Sequence, residues 1–181
     1  QGLAIVPRGG GMSYTGGYLY SGGDFILVDT TSLDAIVDIN PTDMTVTVEA
    51  GCTWAKLHDT LKPMGLRCPS WGPLSGLRAA VGGGMSQNGT FWGARNGSVV
   101  DSALSFDVVL ADGRIVSTGS DFFRPFGPDI TGLFAADTGA FGVKARVTLR
   151  LVRESATPLP LADGMKLKVW PVTWPAESGA Q

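Results

Sequence analysis

The chain has 181 residues, enough for one domain or one domain with a subdomain. A hydrophobic fraction of 44% with 17% charged residues excludes disorder. The net charge is −2, no Lys/Arg run occurs, and no apolar stretch is long enough to cross a bilayer, so neither a nucleic-acid partner nor a membrane span is expected. Cys52 and Cys68 are the only cysteines and read as small buried hydrophobes. With one histidine, His58, and no C-x-x-C, no metal site is expected. The unusual feature is 26 glycines, gathered in short clusters between apolar runs. That pattern fits tight turns and loops that approach a ligand closely.

Leu3 to Val6 reads as a buried strand stopped by Pro7, and a glycine loop follows from Arg8 to Gly17. Phe25–Asp29 and Ala35–Ile39 are predicted strands, the second ended by the turn Asn40-Pro41-Thr42-Asp43. Met44 to Val48 alternates like a half-buried strand. Thr53 is placed as a helix N-cap, with Trp54, Leu57, His58 and Leu61 on one face and Pro63 and Gly65 at the end. Residues 69 to 77 form a Pro/Gly/Ser loop. A short helix over Arg78–Asn88 competes with the propensity cost of Gly82, Gly83 and Gly84. Ser105–Leu110 and Ile115–Ser117 form a hairpin around Asp112-Gly113. A helix over Asp129–Ala136, a strand over Phe141–Val152 and one more strand at Met165–Val169 in a Pro-rich tail complete the reading. Strands and helices mix, with at least one hairpin, which argues for an α+β fold.

The pentapeptide GGGMS occurs twice, at Gly9–Ser13 and Gly82–Ser86. Each copy offers consecutive backbone N–H groups with little side-chain bulk, a concavity suited to phosphate oxygens. Ser13 and Ser86 add hydroxyl donors and Arg8 adds positive charge. Two such segments converging would hold a pyrophosphate from both sides; the competing reading is two unrelated turn-rich loops. Gly16-Gly17-Tyr18 follows the first loop without helical periodicity, against a dinucleotide fingerprint of the Rossmann kind, and no Walker pattern is present.

Five blocks then carry a family resemblance. Val6-Pro7-Arg8-Gly9-Gly10-Gly11-Met12-Ser13 resembles the first pyrophosphate loop of the vanillyl-alcohol oxidase / p-cresol methylhydroxylase flavoproteins. Val48-Glu49-Ala50-Gly51, with the helix at Leu57 to Leu61, resembles their V-E-A-G segment. Pro69 through Gly89 resembles their proline loop and G-G-x-x-x-x-N-x-G motif. Gly97, Asp101 and Val108 to Gly113 resemble a Y-G-x-x-x-D…V-L-A-D-G segment, with Asn96 replacing the aromatic residue. Asp129 to Phe134, Asp137 to Val143 and Val147 to Leu151 resemble the closing blocks, in which S-E-G-T-L-G-V stands where this chain has Asp137-Thr138-Gly139-Ala140-Phe141-Gly142-Val143. The match covers residues 4 to 152 and is nearest in character to the D-lactate dehydrogenase and glycolate oxidase branch.

The resemblance implies FAD held between two α+β subdomains. It implies cofactor contacts from Pro7, Arg8, Gly9, Gly10, Gly11, Met12 and Ser13 at the pyrophosphate, and from Pro69, Ser70 and Ser75 near the flavin. Gly82, Gly84, Met85, Ser86, Gln87 and Gly89 would meet the pyrophosphate and ribityl chain, and Gly139, Gly142 and Val143 the adenine end. Non-covalent binding is expected, because Met12 occupies the position of the family's flavin-linking histidine. His58 reads as core or rim, and Cys68 before Pro69 is the remaining candidate for a covalent link.

Residues 1–152 are expected to form an FAD-binding domain truncated at its N-terminus, and 153–181 to begin the connection to a substrate or cap domain outside the chain. The implied activity is oxidation of a small 2-hydroxy acid with hydride transfer to flavin N5. The alternatives are a non-catalytic flavin-binding module or an oxidase of another alcohol. The catalytic residues and the electron acceptor stay unassigned; Arg95, Arg124 and Asp101 are charges that could face the site, against a structural or solvated role. A cytoplasmic location is expected, with any membrane association left to parts outside the chain.

Overall fold

The computed structural model describes residues 2–70, 75–89, 96–120 and 127–154. The N-terminal strands β1 (Ala4–Arg8) and β2 (Phe25–Asp29) pair in parallel, with Ala4 opposite Phe25 and Arg8 opposite Asp29. Pro7 is tolerated within β1 because, among the described residues, this strand has a neighbour on one side only. The expectation that Leu3 to Val6 is buried holds only for Val6, at 7% exposure; Leu3 and Ile5 remain 46% and 52% exposed. Among the described residues this ribbon has two strands, which leave Leu3 and Ile5 uncovered.

The second sheet runs in the order β3-β4-β8-β6-β7, with every neighbour antiparallel: β3 Ile36–Asn40, β4 Thr45–Glu49, β6 Ala103–Val109, β7 Ile115–Ser117 and β8 Val143–Arg150. The turn after β3 closes as its sequence dictates, the Asn40 side chain accepting from the Thr42 and Asp43 amides. The hairpin of β6 and β7 turns at Gly113, with φ of 84°. Two short strands, β5 (Leu66–Arg67) and β9 (Val152–Arg153), pair antiparallel apart from this sheet.

Helix α1 (Trp54–Leu61) starts at Thr53, whose hydroxyl accepts from the Lys56 amide at 3.2 Å. It buries Trp54, Leu57 and Leu61, as the three-four spacing requires, and leaves His58 half-buried. A 3-10 turn over Lys62–Met64 carries Pro63 and ends at Gly65. Helices α2 (Val81–Gln87) and α3 (Ile130–Phe134) complete the set, α3 capped by Asp129 accepting from Gly132. The core joins α1 and α2 to the sheet through Leu57, Leu61, Met85, Phe106, Val147 and Leu149, all 1% exposed or less. Burying side chains of this size stabilises by about 1.5–3 kcal/mol each. The mixed, largely antiparallel architecture is the α+β class expected. Met165–Val169, the proposed tail strand, lies outside the described residues.

Candidate functional site

Helix α2 contains three consecutive glycines, each costing about 1 kcal/mol relative to alanine in a helix interior. Their surroundings explain two of them. A Cβ on Gly82 would stand 2.7 Å from the Ala50 Cβ, and one on Gly84 would stand 2.9 Å from the Trp54 ring. The helix can therefore lie directly on the end of β4 and the start of α1. The backbone there closes the helix start, since Cys52 O and Ala50 O accept from the Val81 and Gly82 amides at 2.8 Å. Gly83 is different. A Cβ there would meet nothing within 4 Å, because this residue faces a cleft.

The cleft has a volume of about 240 Å³. One wall is the loop leaving β1, where Pro7 through Ser13 line the opening. The loop is pressed against the segment before α2: a Cβ on Gly10 would overlap the Arg78 carbonyl, and one on Gly9 would lie 3.2 Å from the Ala80 Cβ. The opposite wall is α2, contributing Gly82, Gly83, Gly84, Ser86 and Gln87, with Gly89 beyond it. The two GGGMS copies thus face one cavity, one as a loop and one as a helix. They are tied by polar contacts: Thr15 donates to Gln87 Oε1 at 3.1 Å and shares a 3.0 Å hydrogen bond with Ser13. Gly139, Gly142 and Val143 form the end of the cleft at the start of β8.

Four of the expected residues do not line this cleft. Met85 is fully buried in the core and reaches its surroundings through its carbonyl, which accepts from Ala136 at 2.9 Å. A methionine at an inward helical position is packing material first. Pro69, Ser70 and Ser75 do not line this cleft. Among the described residues the hydroxyls of Ser70 and Ser75, with Asn88 Oδ1, are nonetheless buried with no hydrogen-bond partner, as are Arg8 Nε and Trp54 Nε1. Buried polar atoms are nearly always paired, so such orphans mark surfaces that a ligand can complete.

Arg8 sits 3.5 Å from Asp29 and 5.7 Å from the centre of the Tyr18 ring. Hydrogen bonds from the Thr31 hydroxyl and amide hold the Asp29 carboxyl below its usual range, with Arg8 a smaller contributor. At the far end, Lys144 and Asp137 form an ion pair of 2.6 Å whose side chains are 2% and 0% exposed. Lys144 Nζ also donates to Ser86 Oγ at 2.9 Å and lies over the Phe106 ring. Burial pushes the ammonium pKa down, against the opposing pull of Asp137. Asp137 in turn accepts from the Gly139 and Phe141 amides, fixing the turn before β8.

Nothing in the sequence marks Lys144, because lysine is a surface residue by default and its place in an alternating strand gives no sign of a partner. Tyr14, Tyr18 and Trp54 line the cleft without a mark in the sequence, and Gly83, part of the second GGGMS copy but not among the expected contacts, joins them. For Gly83 a signal existed: a third glycine in a helix that needs only two for packing.

The other candidates fall away from the cleft. His58 and Cys68 are not among its lining residues. Burial pushes the Cys68 thiol up to about 12 and Cys52 up to about 11, so neither is a ready nucleophile. Asp101 accepts from the amide and hydroxyl of Ser98 and caps a 3-10 turn. Arg95 and Arg124 lie outside the described residues. No group of three or more His, Cys, Asp or Glu suited to a metal occurs among the described residues, and no described helix is long and apolar enough to cross a membrane.

Residues 1–119 match the family described as FAD binding domain. The glycolate oxidase subunit GlcD of Bacillus subtilis is 30% identical over 157 residues, covering 86% of this chain and 33% of that protein. A D-lactate dehydrogenase [cytochrome] of Saccharomyces cerevisiae is 31% identical over 155 residues, covering 82% of this chain and 25% of that protein. The chain thus spans a third or less of these relatives. Among solved structures, an alkyldihydroxyacetonephosphate synthase superposes with a TM-score of 0.71 at 18% identity, over 83% of this chain and 29% of that one, which shows a shared fold. The chain belongs to the FAD binding domain family, of the vanillyl-alcohol oxidase / p-cresol methylhydroxylase type, and its cofactor is FAD.

Proposed function

We propose that the cleft between the β1 loop and α2 holds the pyrophosphate of FAD without a covalent bond, and that the chain is the cofactor-binding part of an oxidoreductase acting on a small 2-hydroxy acid. The observation that carries the reading is the meeting of both GGGMS segments at one cavity, with Gly83 bare at its surface. Gly9, Gly10 and Gly11 would offer backbone amides from one wall and Gly83 from the other. Two leading amides of α2 are already taken by Cys52 and Ala50, which leaves that of Gly83 for an anion. Arg8 has an unpaired buried Nε beside the same loop.

The size of the cavity agrees with a partial enclosure. Sites that surround a whole ligand occupy roughly 300–1,000 Å³, and about 240 Å³ suits the middle of an extended dinucleotide. Ser70, Ser75 and Asn88, with their unpaired polar atoms, would face the flavin end. Met12, at the cleft, offers only a thioether where a covalent link would need a histidine, and the raised Cys68 pKa argues against that residue as well.

FAD, when bound, would supply the hydride acceptor for C2 of the substrate, while the C2 hydroxyl proton would pass to a base outside the described residues, giving the 2-oxo acid. The described residues would position the cofactor and exclude water, while groups that touch the substrate would come from outside them. The names of the relatives, glycolate oxidase subunit and D-lactate dehydrogenase, support the 2-hydroxy acid class. The test is anaerobic mixing of the FAD-loaded protein, at its full length, with D-lactate, glycolate and other 2-hydroxy acids. Bleaching of the flavin bands by one of them is expected. A flavin that light and a sacrificial donor reduce, but that no 2-hydroxy acid bleaches, would refute the substrate class.

A further inference from the structure

We infer that Lys144 is a positioning residue for the pyrophosphate, acting through the Ser86 hydroxyl. The inference rests on the cleft being the FAD site. It starts from the donor count. An ammonium has three hydrogens and no acceptor. Lys144 Nζ donates one to Asp137 Oδ1 at 2.6 Å and one to Ser86 Oγ at 2.9 Å. Ser86 Oγ must therefore be the acceptor in that contact, and its own proton points elsewhere. Among the described residues the Ser86 hydroxyl has no other hydrogen-bond partner, and Ser86 lines the cleft. The hydroxyl is thus turned outward as a donor, polarised by a cation behind it, which strengthens a hydrogen bond to an anionic oxygen.

Stability alone does not account for the cation. Asp137 already accepts from the Gly139 and Phe141 amides, and the Thr138 amide is bound to the Ser86 carbonyl at 2.9 Å. The turn before β8 is held by these contacts. A buried ion pair is commonly no more stabilising than a well-packed apolar pair. What Lys144 adds is a fixed direction for the Ser86 proton and positive potential beneath it, both useful only when an anion occupies the cleft. The neighbouring Asp137 keeps the pair neutral in the absence of ligand.

The test compares ligands with and without phosphate. FAD, ADP and adenosine are titrated by calorimetry into the wild type, into Ser86→Ala, into the paired substitution Lys144→Met with Asp137→Asn, and into all three changes together. Removing both charges avoids leaving one buried and unpaired, and the side-chain amide oxygen introduced by Asp137→Asn can still accept from the Gly139 amide. Loss of one charge-assisted hydrogen bond should weaken FAD and ADP about tenfold or more, with adenosine unchanged. Once Ser86 is replaced by alanine, the paired substitution should weaken binding no further.

Equal FAD and ADP affinity in wild type and Ser86→Ala overturns the inference, even if the paired variant does not fold. So do equal losses for adenosine, which would make the effect structural, or independent addition of the two effects. A folded wild type that takes up neither FAD nor ADP overturns the assignment of the cleft itself, and the inference with it. A wild type that binds both, with the paired variant binding them equally well, overturns the inference alone.

Discussion

Replacing Gly83 by alanine separates the needs of the fold from those of the cofactor. The fold has no use for glycine here: the residue is helical, has no positive φ, and a Cβ would meet nothing within 4 Å. Alanine should therefore stabilise the cofactor-free protein by about 0.5–1 kcal/mol, through helix propensity and a less flexible unfolded chain. At roughly 2–4 °C per kcal/mol for a chain of this size, the melting midpoint should rise by about 1–4 °C. FAD binding should move the other way. The added methyl stands between an anion and the Gly83 amide, and losing one such hydrogen bond weakens binding about ten- to a hundredfold. The assay pairs thermal unfolding without ligand and a fluorescence titration with FAD. Gly82→Ala and Gly84→Ala are the controls, since their methyls would meet Ala50 and Trp54 at 2.7 and 2.9 Å and should cost about 1–3 kcal/mol of stability. A lower midpoint for Gly83→Ala, or unchanged FAD affinity, would show that the open space is not kept for the cofactor.

Other substitutions probe the remaining walls. Gly10→Ala places a methyl into the Arg78 carbonyl, so the β1 loop must shift; FAD binding should fall below detection while the far-UV spectrum persists. Lys144→Met alone leaves Asp137 buried and unpaired and should cost about 3–5 kcal/mol in denaturant unfolding, with a smaller loss for the pair Lys144→Met and Asp137→Asn. Asp29 has its folded pKa held below the usual 3.8, so its contribution is full above that value and is lost as the pH falls toward the folded pKa. Asp29→Asn should flatten the acid limb of the stability curve below about pH 4, measured by thermal midpoints across pH. Cys52 and Cys68 should resist a thiol reagent at about pH 8 and react only on unfolding, given pKa values raised to about 11 and 12.

Much of the local structure was legible because one physical rule governed each piece. Thr53 capping α1, the Asp112-Gly113 turn and the Asn40 turn depend on neighbours in sequence, and each forms where expected. The α2 helix was harder: propensity alone disfavours Gly82-Gly83-Gly84, and tertiary contact with Ala50 and Trp54 decides the outcome. The identical pentapeptide at Gly9–Ser13 is loop, which shows how little those five residues specify by themselves. β1 shows the opposite error, since an apolar run is buried only if something covers it. In the cleft, glycines and serines were visible as a pattern. Lys144, Tyr18 and Trp54 were not, because nothing in their own segments distinguishes a cleft wall from a surface or a core.

In the reading proposed above, this cleft takes up FAD and holds it without a covalent bond. The most direct measurement is the absorbance spectrum of the folded protein after incubation with FAD and gel filtration, followed by acid precipitation. Flavin bands should coelute at one per chain and pass into the supernatant with acid. A folded protein that elutes colourless, or flavin that stays with the acid pellet, would contradict it.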